Sequence, residues 1–214
     1  MKILYSKNSV LFLFRKIAFV SLISFGLPSY ADELPAECDI DCASSFGQVL
    51  GTSPKGIEAY SNCNNACVFR SPYFVDETFT GIRWQCVEYA RRWLLENQGV
   101  VYGDVDVAAD IWSLEKVKNP GSKKEHSFVS FENGKTDSPP VVGDLLIYAR
   151  ALWGTGHVAV VLRTDIENQQ IYLGEQNFDN QPWEKDYARV IPYVSHENAV
   201  WLLDSYLLGW KRVQ

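Results

Sequence analysis

The chain has 214 residues, of which 20 are Lys or Arg and 26 are Asp or Glu, giving a formal net charge of −6. That acidic balance argues against a nucleic-acid polyanion as partner and against simple electrostatic adhesion to an anionic membrane. The length suits one domain built on one sizeable core.

Residues 1–31 read as an export leader. Lys2, Lys7, Arg15 and Lys16 form a positive start, Ile17 to Leu27 is apolar but too short to span a bilayer, and Ser29 and Ala31 put small residues where a signal peptidase needs them. Cleavage after Ala31 is expected, leaving an exported, periplasmic or secreted protein without a stable membrane anchor; a retained transmembrane anchor is the competing reading. The leader holds four of the 20 basic residues and no acidic ones, so the rest of the chain carries 16 against 26, a net charge of −10.

Residues 32–45 form a short acidic extension with Cys38 and Cys42. The same spacing recurs at Cys63 and Cys67, and an oxidising compartment makes the two pairs legible as disulfides. Three pairings are open. The shared spacing favours those that tie the first pair to the second, each bridge adding ~3 kcal/mol by restricting the unfolded chain. A four-cysteine zinc site is the rival reading, and oxidising surroundings disfavour it. No metal or other cofactor is expected. Between the pairs, Gln48 to Tyr60 holds a Gly-Thr-Ser-Pro-Lys-Gly turn between two apolar runs and reads as a hairpin.

Cys86 is the cysteine left over. It follows a loop at Thr80-Gly81, and from it Val87, Ala90 and Leu94 recur at helix-face spacing to about Asn97, with Gly99 as the stop. The first turn of a helix favours thiolate over thiol through its free N–H groups and dipole, and a thiolate is a nucleophile suited to acyl transfer. A buried, inert cysteine is the competing reading for any single thiol. Asp104 to Lys118 is a second helix candidate, carrying Val107, Ile111, Trp112 and Leu114. Asn119 to Pro140, polar and rich in Gly and Pro, reads as loop. Strands follow at Gly143 to Tyr148, His157 to Arg163, Gln170 to Asn177 and near Leu207 to Lys211. Helices first and an antiparallel sheet after imply an α+β fold.

A thiol amidase needs a base for the thiol proton and a third group to orient that base. His126 and His196 lie in polar stretches. His157 opens a strand directly after Gly154-Thr155-Gly156, where a substrate has room beside it. A hairpin of the strands at 157–163 and 171–177 sets His157 opposite Glu175 to Asn177. Glu175 then orients the imidazole, and Asn177, on the same face by the period of two, is the alternate orienter.

These stretches carry a resemblance. Gly51 to Asn62 (GTSPKGIEAYSN), Val68 to Leu94 (VFRSPYFVDETFTGIRWQCVEYARRWL), Gly143 to Tyr148 (GDLLIY), Gly156 to Val161 (GHVAVV), Glu175-Gln176-Asn177 and Leu208-Gly209-Trp210 resemble the CHAP family of cysteine, histidine-dependent amidohydrolases/peptidases. Within it they are similar to the amidase domain of bifunctional glutathionylspermidine synthetase/amidases. The resemblance runs over residues 46–214. It implies a papain-like (NlpC/P60-type) fold in which the helix bearing the cysteine packs on an antiparallel sheet. It also implies Cys86 as nucleophile, His157 as base and Glu175 as orienter. The Cys86 N–H would help form an oxyanion hole, with Gln85 a second contributor, Arg91 would meet a substrate carboxylate, and Asn177 would join the substrate-binding set. Other CHAP relatives mostly cut amide bonds in peptidoglycan peptides. The leader and the added cysteine pair depart from the cytosolic amidase domains. The expected partner is therefore a peptide or amide substrate, first a cell-wall peptide and second a glutathionylspermidine-like amide. A non-catalytic wall- or peptide-binding module is the reading from another class, and a binder has no need of Cys86, His157 and Glu175 together.

Overall fold

The computed structural model describes residues 33–214; the leader expected over residues 1–31 lies outside them. A short 3-10 helix, Ala36–Cys38, is followed by a hairpin of β1 (Val49–Thr52) and β2 (Glu58–Tyr60). A second hairpin pairs β3 (Pro72–Val75) with β4 (Thr78–Ile82). Then comes α1 (Cys86–Gln98), closed by Gly99 in the left-handed conformation, where its N–H reaches back to the carbonyls of Leu94 and Leu95.

The remaining strands form one sheet. They are β5 (Val101–Tyr102), β6 (Lys116–Lys118), β7 (Glu125–Glu132), β8 (Leu145–Tyr148), β9 (His157–Asp165), β10 (Gln170–Gly174), β11 (Arg189–His196), β12 (Ala199–Leu202) and β13 (Leu207–Val213). Their order is β12-β11-β10-β9-β8-β13-β7-β6-β5, and every pairing is antiparallel. The described chain is therefore α+β and mostly sheet.

The middle of the sheet is covered on both faces, which is why β8 is a continuous apolar run rather than an alternating one. Leu145 and Ile147 pack with Val158, Val160 and Leu162 in the core that contains α1. Leu146 and Tyr148 join Ala159, Val161, Ile171, Leu173 and Trp210 in a second core. β8 is also tied at its start: Asp144, nearly fully buried, takes two bonds from the Arg212 guanidinium of β13, at 2.8 and 2.6 Å. α1 packs on β9 and on β4, and so buries Glu88, Arg91 and Arg92 along with its apolar residues.

Several expected elements differ. Asp104 to Lys118 is not a helix: only Ala108–Ser113 forms a 3-10 helix, without a side-chain cap, and Lys116–Lys118 is β6. There Val117 is buried between two exposed lysines, a period of two hidden inside an apparently helical spacing. The loop expected over Asn119 to Pro140 contains β7. Its eight residues include only Phe128, Val129 and Phe131 as apolar side chains, so sheet membership outweighs a polar sequence. The final strand lies in the middle of the sheet, between β8 and β7. No helix among the described residues is long and apolar enough to cross a membrane.

Candidate active site

Cys86 is the first residue of α1, with Gln85 as an extended N-cap whose side chain makes no cap bond. Gly81 permits this tight approach. Its φ is +147°, and a Cβ there would sit 2.8 Å from the Glu88 Cα. Burial pushes the Cys86 thiol up. The charge and hydrogen bond of His157, and the backbone N–H groups of Val158 and Val87, outweigh burial and leave it below the ordinary thiol range.

His157 opens β9 after Gly156, whose φ is +70° and whose missing Cβ would run into the Tyr148 carbonyl and Ala109. Its Nε2 lies 2.9 Å from Glu175 Oε2, both side chains being buried. A carboxylate only accepts, so Nε2 carries the proton in that bond. Nδ1 is buried and has no hydrogen-bond partner, which leaves it for the sulfur that pairs with the ring. Burial lowers the His157 pKa, but Cys86 and then Glu175 raise it, to about 9. Burial also raises Glu175, and the cations His157 and Arg189 bring it below the usual carboxylate value. A sulfur drawn toward thiolate thus faces an imidazole drawn toward imidazolium.

Arg189, on β11, extends this line. Its Nε donates to Glu175 Oε1 at 2.6 Å, and its other nitrogens bond Asp204 at 2.7 Å and the Tyr148 hydroxyl at 2.9 Å. Arg189 is not among the sequence-predicted site residues; its nearest cue is a lone arginine opening a strand, fourteen residues after Glu175.

The remaining expected residues take up other positions. The expectation that Gln85 donates to an oxyanion is not met by its side chain. Its Nε2 is engaged by Asn62 Oδ1 at 3.2 Å and the Cys67 carbonyl at 3.3 Å, while its Oε1 accepts from Asn177 Nδ2 at 2.8 Å. Asn177 therefore holds Gln85 and does not orient His157. β10 ends at Gly174, and Asn177 has a φ of +53°, so the period of two no longer applies. Arg91, expected beside a substrate carboxylate, is only 3 % exposed. It donates to the carbonyls of Thr80 and Gly103 and pairs with Asp104 at 3.2 Å. His126 lies on β7 and His196 ends β11, and neither lines the cleft around Cys86.

Asn62, buried and unforeseen, links the nucleophile turn to the cysteine clip. Its Oδ1 accepts from the Trp84 N–H and Gln85, and its Nδ2 donates to the Cys67 carbonyl at 2.8 Å. The bridges join Cys38 to Cys67 and Cys42 to Cys63, and Cys86 is the free cysteine. Among the described residues no group of three or more His, Cys, Asp or Glu side chains could hold a metal ion. The cleft, of about 340 Å³, is lined by Cys86, His157, Gln85, Asn177, Arg91 and the half-exposed Trp153, among others. Such a space fits an amide beside the sulfur.

Residues 77–177 match the CHAP domain family. The chain is 32 % identical over 174 residues to a trypanothione synthetase of Crithidia fasciculata, an alignment covering 81 % of this chain and 26 % of that protein. It is 33 % identical over 187 residues to the bifunctional glutathionylspermidine synthetase/amidase of Escherichia coli strain K12, covering 77 % and 29 %. It is also 28 % identical over 197 residues to a glutathionylspermidine synthase of Crithidia fasciculata, covering 79 % and 26 %. The chain thus spans under a third of the length of these relatives.

Proposed function

We propose that this chain, which belongs to the CHAP family through residues 77–177 and is a cysteine amidohydrolase, works through Cys86, His157 and Glu175 on a papain-like scaffold. The observation that carries this reading is the buried line from Glu175 to His157 Nε2, at 2.9 Å, with the ring's other nitrogen, Nδ1, buried and without a hydrogen-bond partner on the side of the Cys86 thiol, whose charge raises the imidazole.

The Cys86 thiolate attacks the amide carbonyl carbon, and the C=O electrons move to oxygen. The N–H of Cys86, the first residue of α1, is the donor this reading assigns to that oxyanion. As the tetrahedral intermediate collapses, the C–N bond breaks and the His157 imidazolium gives its proton to the leaving amine. A water then attacks the thioester while His157 takes a proton, which releases a carboxylate and restores the thiolate–imidazolium pair. Glu175 fixes the ring and favours its charged form, and Arg189 fixes Glu175.

For substrate, the synthetase/amidase relative supports an amide of the glutathionylspermidine type. The second reading, an exported enzyme acting on cell-wall peptides, is supported by the leader-like sequence of residues 1–31 and by the two disulfides. Incubating the purified protein with glutathionylspermidine and with sacculi, followed by mass spectrometry of the products, separates them. Release of spermidine alone supports the first; release of wall peptides alone supports the second. Turnover of neither contradicts both.

A further inference from the structure

Four carboxamide residues close a ring beside the nucleophile. The Asn62 N–H donates to Asn180 Oδ1 at 2.8 Å, Asn180 Nδ2 to Asn177 Oδ1 at 3.3 Å, Asn177 Nδ2 to Gln85 Oε1 at 2.8 Å, and Gln85 Nε2 back to Asn62 Oδ1 at 3.2 Å. Asn62 and Asn180 are buried. Gln85 is the residue before Cys86, and its side chain, engaged in this ring, does not cap α1. Asn62 Oδ1 also accepts from the Trp84 N–H at 3.2 Å. The ring thus holds both residues that lead the chain into Cys86, and a satisfied buried network of this kind rigidifies what it holds.

One carbonyl anchors the ring from outside. The Cys67 carbonyl accepts from Asn62 Nδ2 at 2.8 Å and from Gln85 Nε2 at 3.3 Å. It lies within residues 61–71, which contain no helix or strand, so no ladder of hydrogen bonds places it. The Cys67 N–H bonds only within its own turn, to Asn64. Asn64 Nδ2 touches the extension at the carbonyls of Glu37 and Ile40, each at 2.9 Å, but the covalent tie at the anchoring residue itself is the bridge to Cys38, with both cysteines fully buried. The other bridge, Cys42–Cys63, joins the same two segments at a residue whose N–H and carbonyl bond Ser61 and Ala43 and not the nucleophile turn.

We propose that the Cys38–Cys67 bridge positions the nucleophile. It sets the Cys67 carbonyl, which holds Asn62 and Gln85, and these positioning residues hold Cys86 against His157; Cys42–Cys63 contributes stability alone. The inference rests on Cys86 being the activated thiol of the reading above, and it makes that activation depend on a bridge that does not line the cleft. A misplacement of about 1 Å costs a reacting group on the order of 10²-fold in rate.

Iodoacetamide labelling of the full, disulfide-bonded chain tests this without a substrate. In Cys38→Ala/Cys67→Ala and in Cys42→Ala/Cys63→Ala one bridge remains and Cys86 is the free thiol. The bridges span sequence separations of 29 and 21, so the two variants should lose melting temperature by similar amounts. Near neutral pH the first variant should label Cys86 about tenfold more slowly than wild type, and the second within about twofold of it. Asn62→Ala, which keeps both bridges, should also label slowly, and it decides the question where a bridge variant does not fold. Equal labelling in the two bridge variants, or wild-type labelling in Asn62→Ala, overturns the positioning role and leaves Cys86 as an activated thiol. Wild-type labelling no faster than that of a free model thiol overturns the activated thiol, and this inference with it.

Discussion

Glu175 and Gln176 are neighbours in the chain, yet they belong to two buried polar networks of opposite character. Gln176 joins a closed one. Its Oε1 accepts from the Tyr60 N–H at 2.8 Å, and its Nε2 donates to Glu88 Oε2 at 3.0 Å and to the Gln85 carbonyl at 3.2 Å. Glu88, 0 % exposed, also accepts from Thr80 at 3.1 Å and from Arg92 Nε at 2.7 Å. Each of these groups is matched, and the network clamps the β1–β2 hairpin, α1 and the segment after β10 together. The network of Glu175 is matched at Arg189, Asp204 and Tyr148 but open at His157 Nδ1. A satisfied buried network rigidifies its surroundings, whereas a buried nitrogen without a partner needs another explanation, which the adjacent thiol supplies. The first holds the site together; the second works in it.

Breaking the open end should have the largest effect on activity. Cys86→Ala and His157→Ala should each lower turnover by about 10⁴-fold or more. The Cys86→Ala melting temperature should stay close to wild type, because one small buried side chain replaces another. An unmelted but inactive protein is the expected result; an active Cys86→Ala protein contradicts the assigned nucleophile.

Breaking the closed network should instead register as lost stability. Glu88→Ala leaves the Arg92 guanidinium buried without its carboxylate, and should cost about 3–5 kcal/mol in denaturant unfolding. Activity per folded molecule should change much less than for the Cys86 and His157 variants. A Glu88→Ala protein of wild-type stability would show that the two networks do not divide the work in this way.

Glu175→Gln sharpens the comparison within the open network. It keeps a hydrogen-bond acceptor for His157 Nε2 but removes the second of the two charges, after that of Cys86, that raise the imidazole. Turnover should fall by about 10- to 100-fold. In the wild type the imidazolium needed to protonate the leaving amine is lost as pH rises through about 9. In the variant that alkaline limb should move to lower pH, a displacement read from the pH profile of kcat/KM. Arg189→Lys should have the smallest effect, a fewfold loss of rate, because a lysine keeps the charge near Glu175 but not the contacts to Glu175, Asp204 and Tyr148 together.

The sequence made the open network more legible than the closed one. Cys86 is marked by its place before Val87, Ala90 and Leu94 and by Gly99 as a stop, and His157 by the glycines before an apolar run. Those are local patterns, and local patterns survive in a sequence. Glu88 and Arg92 are also at i,i+4 spacing, but that spacing fits an exposed ion pair equally well. Tertiary packing buries it: α1 lies against β4, β9 and β5, and Arg92 also reaches the Glu58 carbonyl of β2. Arg189 is joined to Glu175 through the pairing of β10 with β11, with Leu173 opposite Arg189, a long-range register with no local mark. β7 has no such mark, since its three apolar residues, Phe128, Val129 and Phe131, do not alternate, and the 3-10 turn at Ala108–Ser113 shares its spacing with a longer helix.

The central claim is that His157 holds Cys86 as a thiolate, and the rate of iodoacetamide alkylation of Cys86 against pH tests it most directly. In the wild type the rate should reach its plateau below the pH at which an ordinary cysteine ionises. In His157→Ala, burial alone remains to act against the backbone N–H groups, so the profile should move to higher pH and the rate near neutrality should fall. A wild-type profile like that of a free thiol, or one that His157→Ala leaves unmoved, would contradict the account.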